Sequence, residues 1–232
     1  NGISAVLSEI PWEEFCGPSA ESNLQDLSWV GLRACRHEWV IEQVMHKAPV
    51  LPAQFGTIFS SMDSLNRLLE RNSAAIEQFL DYVANKEEWS VKVLLDKAKA
   101  REERLSAAFS RESGRLSAMQ PGQRYFQEQR IRVDIEKELN NWLKEVCARI
   151  AGDLNLCASD YYERKLHSRE VNGKTGEFII NWAFLVPRSS IRTFKEQVDR
   201  MNADYLSDGL AFELSGPWPP YSFSPAVKNE SQ

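Results

Sequence analysis

The fold class of this chain follows from one stretch of sequence, Glu177-Phe178-Ile179-Ile180-Asn181-Trp182-Ala183-Phe184-Leu185-Val186. Apolar and aromatic residues occupy both alternating sets of positions, which is typical of a strand covered on both faces. A partner strand is expected over residues 160–167, because Asn172-Gly173 and Gly176 between the two runs are typical of a hairpin turn. The sequence therefore predicts a β-hairpin whose second strand is central in a sheet.

The sequence on either side of this hairpin predicts helices. After the hairpin, Ser189 or Ser190 is positioned to cap a helix. A strand is expected to follow that helix over residues 210–214. The apolar stripe of that helix is Ile191, Phe194, Val198, Met201 and Tyr205. Before the hairpin, residues 96–156 have a helical pattern that Pro121-Gly122 divides into two segments.

The N-terminal part of the chain predicts alternating strands and helices. Strands are expected over residues 3–10, 50–59 and 89–95, with two short helices, capped at Ser61 or Asp63 and at Ser73, before the last of them. A longer helix is expected to end before Pro49, with one stripe facing a sheet. That stripe is Val30, Ala34, His37, Ile41, Val44, Met45 and Ala48.

These elements predict an α+β protein with two small ferredoxin-like or modified ferredoxin-like domains. The expected boundaries are an N-terminal domain at 1–95, a helical connecting segment at 96–155 and a C-terminal domain at 156–232. An extended Pro/aromatic tail, Gly216-Pro217-Trp218-Pro219-Pro220-Tyr221-Ser222-Phe223, is not expected to continue a strand, since proline has no N–H to donate. The tail is expected to fold back on its own domain, with a role as a polyproline ligand for another protein as the alternative.

Composition excludes several classes of protein and partner. The 232 residues carry a net charge of −5, whereas nucleic-acid binders usually carry a basic surface. Apolar runs are only a few residues long, so no membrane-spanning helix is expected. Four cysteines without a C-x-x-C pair favour reduced thiols in a cytoplasmic protein.

The familiar catalytic motifs are missing from the sequence. Asn172-Gly173-Lys174-Thr175 resembles the end of a phosphate-binding loop, which needs another glycine five residues before Gly173. That position is Ser168, so a hairpin turn is the better interpretation. Glu42 and His46, together with His37, form a weak metal-site candidate; a partly buried His37 and a surface Glu42–His46 pair are favoured. Cys147 and Cys157 with His167 form an equally weak thiol-site candidate; cysteines in the core are favoured.

Three segments carry a resemblance to a known family. They are Val50-Leu51-Pro52-Ala53-Gln54-Phe55-Gly56-Thr57, Gly122-Gln123-Arg124-Tyr125-Phe126 and the tail Gly216–Phe223. Together they resemble the gas vesicle accessory proteins of the GvpF/GvpL family, and GvpF most of all. The strand Asn181–Val186 is also similar to the family's penultimate strand.

The resemblance implies a non-enzymatic accessory or minor structural protein of gas vesicles, located at the vesicle and in the cytoplasm. The implied partner is the very hydrophobic major shell protein, GvpA, with other accessory proteins as further candidates. No cofactor, metal, nucleic acid or membrane partner is implied. The signature residues, which are also the candidate partner-binding residues, are Pro52, Phe55, Gly56, Gly122, Tyr125, Trp182, Gly216, Pro217, Trp218, Pro219, Pro220, Tyr221 and Phe223.

A second hypothesis from a different class remains open. Two small α+β domains could hold a ligand in the cleft between them, which would make the chain an enzyme or a cofactor-binding protein. The residue that favours this alternative is His37, a titratable side chain on an apolar helix stripe.

Overall fold

The computed structural model describes residues 2–166 and 176–226. The helices are α1 (Trp12–Phe15), α2 (Ala20–Gln25), α3 (Leu27–Met45), α4 (Met62–Val83), α5 (Lys97–Ser117), α6 (Pro121–Asn155) and α7 (Ile191–Tyr205). The strands are β1 (Lys86–Leu95), β2 (Asp160–Glu163), β3 (Glu177–Pro187) and β4 (Leu210–Trp218). Single 3-10 turns lie at Arg188–Ser190 and Tyr221–Phe223.

The four strands form one antiparallel sheet with the order β2-β3-β1-β4. The predicted hairpin is confirmed: β2 pairs antiparallel with β3, and Tyr161 lies opposite Phe184. Most of its expected loop, residues 168–175, lies outside the described residues, as does His167, the last residue of the predicted first strand. Helices follow β1 and β3, so the element order is the split β-α-β of ferredoxin-like domains, with α5 and α6 in place of the first helix.

The core of this sheet forms because its strands and helices present complementary apolar faces. β3 is central, as predicted, and Trp182 through Val186 are all buried. The predicted stripe of α7 packs here through Phe194, Val198 and Met201. The C-terminal half of α6 contributes Leu139, Val146, Cys147, Ile150, Ala151 and Leu154.

The helical segment divides as predicted. α5 ends at Ser117, and α6 begins at Pro121, a residue suited to the first helical turn because its missing N–H has no partner there. The Asp96 side chain caps α5 by accepting from the Lys99 amide at 3.0 Å. The two helices are therefore antiparallel neighbours joined by a short link.

The N-terminal part of the chain is helical. The Asp26 carboxylate caps α3 by accepting from the Ser28 amide at 2.8 Å, and Ser61 and Ser64 form a capping box for α4. The buried apolar side chains of these two helices are Ile41, Leu65, Ile76, Phe79 and Val83. Ile41 belongs to the predicted inward stripe of α3.

Two predicted strands are wrong. Residues 3–10 and 50–59 have no strand structure, and Val6 and Leu7 are exposed. Short apolar runs do not distinguish strands from extended coil, and Pro52 cannot donate a ladder hydrogen bond.

The two short helices predicted before β1 are one continuous helix, α4. Ser73 was expected to cap the second of them, but its hydroxyl donates to the Glu70 carbonyl at 3.1 Å within the helix. Serine forms this local bond inside helices as well as at caps, so its presence does not require a helix start.

β4 extends further than predicted. The strand continues through Gly216-Pro217, a cis peptide bond, to Trp218. β4 is an edge strand, where a missing N–H does not interrupt a ladder. The expectation that the tail motif cannot continue the strand is therefore wrong for its first three residues.

The chain divides into two compact units. Unit 1 combines Asn1–Glu87 with Trp218–Gln232, and unit 2 is Glu88–Pro217. β1 was expected to close the N-terminal domain, but it lies between β3 and β4 in the sheet. The α+β class is confirmed, whereas the division at residues 95 and 155 differs from these units. None of the helices described above combines the length and the hydropathy that a membrane-spanning helix requires.

Candidate functional site

Tyr221 joins the C-terminal tail to helix α3. Its hydroxyl donates to Glu38 Oε2 at 3.0 Å and lies 3.4 Å from the Ala53 carbonyl oxygen. Burial raises the pKa of Tyr221, and the hydrogen bond and charge of Glu38 raise it further. The phenol is therefore held in its protonated form and acts as a fixed donor.

His37 fastens the Pro52–Phe55 segment to the same helix. Its Nε2 donates to the Ala53 carbonyl at 2.9 Å, and its ring meets the Phe55 ring edge-on at 5.8 Å. The Ala53 carbonyl thus faces both His37 and Tyr221. His37, the residue behind the ligand-cleft and metal hypotheses, is engaged in holding this segment.

A tight turn follows at Gln54–Thr57. The Thr57 amide donates to the Gln54 carbonyl at 3.1 Å, and the Thr57 hydroxyl donates to the same oxygen at 2.7 Å. Gly56 occupies the third position with φ of +86°, as a type II turn requires. The signature glycine is explained by this backbone conformation.

The tail approaches α3 through two buried prolines, Pro219 and Pro220. The Tyr221 amide donates to the Pro219 carbonyl at 2.7 Å, and the Ser224 hydroxyl donates to the Pro220 carbonyl at 2.9 Å. Phe223 is half-buried in the 3-10 turn that these contacts close. The tail is thus docked in unit 1 rather than on the C-terminal domain from which it was predicted to extend.

We call this assembly the clamp: His37 and Glu38 of α3, the segment Pro52–Gly56, and the tail Pro219–Phe223. It unites two of the three signature segments. Its hydrogen bonds hold the three segments together, since the donors and acceptors described above pair with one another.

Gly216 and Trp182 are explained by packing in unit 2. At Gly216, with φ of +137°, a Cβ would lie 3.0 Å from the Glu88 carbonyl oxygen and 3.1 Å from the Trp89 ring. Trp182 is buried in the sheet core. Pro217 is half-buried, and Trp218 is partly exposed at the end of β4.

The third signature segment lies apart in sequence and has a different environment. Gly122 has open space where a Cβ would stand, and Tyr125 and Phe126 are exposed on α6. Packing within unit 2 therefore does not explain why these residues are present.

Sequence reasoning missed a second apolar stripe on α3. Leu32, Cys35 and Trp39 follow one another at three- and four-residue steps and are all exposed. We call these residues the outer stripe. The spacing was visible in the sequence, but only the stripe containing Ile41 was assigned a role, because a surface helix normally has one apolar face.

The thiol and metal alternatives gain no support. Burial raises the pKa of the Cys147 thiol to about 11, which disfavours the reactive thiolate, and His167 lies outside the described residues. Residues 2–166 and 176–226 contain no group of three or more His, Cys, Asp or Glu placed to hold a metal ion.

Comparison with known proteins is consistent across sequence and structure. Residues 1–225 match the family model described as "Gas vesicle synthesis protein GvpL/GvpF". Over 225 residues the chain is 27% identical to gas vesicle protein L of Streptomyces sp. (strain CB03234), covering 96% of this chain and 80% of that protein. It is 24% identical to gas vesicle protein F of Dolichospermum flosaquae, covering 91% and 84%.

Two crystal structures share the fold. That of gas vesicle protein GvpF from Anabaena sp. PCC7120 superposes with a TM-score of 0.60 at 21% identity, covering 84% of this chain and 76% of that one. That of GvpF from Microcystis aeruginosa gives 0.58 at 19% identity, covering 82% and 76%.

Proposed function

Because this chain belongs to the GvpL/GvpF family of gas vesicle synthesis proteins, we propose that it binds the major shell protein GvpA, limits its premature aggregation and supports vesicle nucleation and assembly. Other accessory proteins are further candidate partners. The role is one of binding and needs no catalytic group. The proposed locations are the cytoplasm and the gas vesicle.

The outer stripe of α3 is the observation that carries the proposal. Leu32 is 73% exposed and Trp39 is 58% exposed, with exposed Cys35 between them. Exposed apolar side chains on one helix face are typical of interaction sites, and tryptophan is enriched among the residues that contribute most to binding at such sites. A shell subunit with a strongly apolar surface is a suitable partner for it.

The clamp provides a physical reason for the signature residues in this scheme. Tyr221, His37 and Ala53 hold the tail and the Pro52–Gly56 segment against α3. α3 is thereby fixed while its outer stripe remains exposed. Preorganising a helix in this way lowers the entropy cost of binding.

Co-expression with the major shell protein tests the proposal. We expect the wild-type chain to keep the shell protein in the supernatant and to co-purify with it. Leu32→Asp combined with Trp39→Asp is expected to reduce the co-purified amount at least about tenfold, as loss of a binding hot spot does.

The control is Leu156→Asp, which changes a leucine in unit 2 that is even more exposed than Leu32 and should leave co-purification unchanged. Circular dichroism of each variant checks that it is folded. If the shell protein aggregates to the same extent with and without the wild-type chain, the proposal fails.

A further inference from the structure

The α5–α6 hairpin forms a helical arm whose core is separate from that of the sheet. Its buried and partly buried side chains are Leu105, Ala108, Phe109, Leu116, Met119, Ile131 and Ile135. About 27 Å of helix lies between Pro121 and Leu139, the first α6 residue of the sheet core. We call residues 105–135 the arm.

Two adjacent aromatic side chains are exposed on the arm. Tyr125 is 59% exposed and Phe126 is 75% exposed, and their rings meet edge-on at 5.9 Å. The preceding Gly122 leaves open space beside the helix. Large aromatics in water are costly, so a pair of them marks a surface that another molecule covers.

The arm is basic, in contrast to the chain as a whole. Five arginines, two glutamates and one aspartate lie in the arm, a net charge of +2 from five positive and three negative side chains, whereas the whole chain has a net charge of −5. Two of the arginines pair with those glutamates on their own helix, and a third lies 3.9 Å from an aspartate one turn further on. An excess of positive charge therefore surrounds the aromatic pair.

The same chain carries a segment with the complementary character. Between Glu9 and Asp26 there are five acidic residues and no Lys or Arg. Trp12 and Leu27 are exposed there. We call residues 9–27 the acidic segment; one of its acids, Glu14, pairs with an arginine of α3.

We infer that the arm of one copy of this protein binds the acidic segment of a second copy. Tyr125 and Phe126 supply the apolar contact for Trp12 and Leu27, and the opposite charges steer the two surfaces together. The two surfaces differ, so a single contact between two copies is head-to-tail and leaves one free surface on each copy, the acidic segment on one and the arm on the other. This inference uses surfaces other than the outer stripe and does not rest on the proposed function.

Sedimentation of the purified full chain tests the inference. We expect the wild type to pass from the 26.6 kDa monomer to larger species as its concentration rises. Raising the salt from about 0.1 M to 1 M shortens the Debye length from about 10 Å to 3 Å, and is expected to shift the population back toward monomer.

Two double variants then locate the surfaces. Tyr125→Ala with Phe126→Ala removes the aromatic pair, and Trp12→Ala with Leu27→Ala removes the apolar part of the acidic segment. Each is expected to weaken self-association at least about tenfold. All four side chains are exposed, so helix content measured by circular dichroism should stay at the wild-type level.

Mixing the two double variants is the decisive step. One retains an intact acidic segment and the other an intact arm, so a head-to-tail interface predicts that the mixture forms a dimer which cannot extend further. A wild type that stays monomeric at every concentration would overturn the inference. So would self-association that survives the arm variant, or a mixture in which no dimer forms.

Discussion

The Tyr221 hydroxyl donates a hydrogen bond to Glu38 Oε2 at 3.0 Å across 183 positions of sequence. The bond places the C-terminal tail in unit 1, whose other part is the first 87 residues. The segment Pro219–Phe223 therefore packs in the same compact unit as helix α3.

Removing the Tyr221 hydroxyl should loosen the clamp. Tyr221→Phe leaves the Glu38 carboxylate without this donor, and loss of a hydrogen bond to a charged group costs about 1–3 kcal/mol. We expect faster amide hydrogen exchange in α3 and a lower urea midpoint. Tyr162→Phe, an exposed tyrosine in unit 2, is the control. Equal exchange in α3 for both variants would contradict the role assigned to Tyr221.

The clamp should also weaken at alkaline pH. The pKa of Tyr221 is raised in the folded state, whereas an unfolded tyrosine titrates near pH 10. Below that pH both states are protonated and the contribution of the phenol is complete. Above it the unfolded state loses the proton first, so stability falls as the pH rises toward the folded pKa.

The measurement is the free energy of unfolding of wild type and Tyr221→Phe between about pH 8 and pH 11. The difference between the two is expected to be constant at the lower end and to shrink above about pH 10. A difference that grows with pH would contradict a raised pKa of Tyr221 in the folded state.

A side chain at Gly216 should destabilise unit 2. In Gly216→Ala the new Cβ lies 3.0 Å from the Glu88 carbonyl, and φ of +137° is unfavourable for alanine. We expect a loss of about 2 kcal/mol, measured by thermal unfolding. Gly122→Ala is the matched control, since open space surrounds Gly122, and it should be neutral or slightly stabilising. Equal effects of the two changes would contradict the packing argument.

The buried Glu88–Arg164 pair should contribute strongly to the stability of the sheet. The Glu88 side chain is fully buried and accepts from Arg164 Nη2. Arg164→Met takes the guanidinium from a buried carboxylate, which costs about 3 kcal/mol. Arg192→Met removes an exposed pair with Glu196 and should leave the urea midpoint unchanged. A small loss for Arg164→Met would show that other contacts of Glu88 are sufficient.

The parts of the sheet that could be predicted are those encoded by a local sequence pattern. β3 is apolar at both alternating sets of positions, as a strand covered on both faces is, and the turn residues before it indicated a hairpin, so that hairpin and helix α7 were correctly predicted. The choice of partner for β1 was not, because the period-2 pattern of residues 89–95 states that a strand is half-buried but not which strand lies beside it.

The N-terminal strands failed for a different reason. Residues 3–10 and 50–59 have strand-forming composition, but extended backbone becomes a strand only where a neighbour accepts and donates its hydrogen bonds. In the second case Pro52 removes a donor and Gly56 bends the chain into a turn.

The clamp was half predictable. The signature segments singled out Pro52, Phe55 and Tyr221, and the structure brings these segments together on α3. Glu38, the acceptor that explains Tyr221, could not be identified from a spacing of 183 residues, since no local periodicity links the two. The outer stripe was within reach of a helical-wheel argument and was missed because the inward stripe already accounted for the helix.

Photo-crosslinking from position 39 shows whether the outer stripe touches the shell protein. Trp39 is replaced by a photoreactive phenylalanine analogue, the chain is co-expressed with the major shell protein, and the sample is illuminated and separated by mass. We expect a covalent adduct with the shell protein from position 39 and little or none from the same analogue at Leu156. An adduct from Leu156 but not from position 39 would contradict the assignment of the outer stripe, and no adduct from either position would contradict binding of the shell protein.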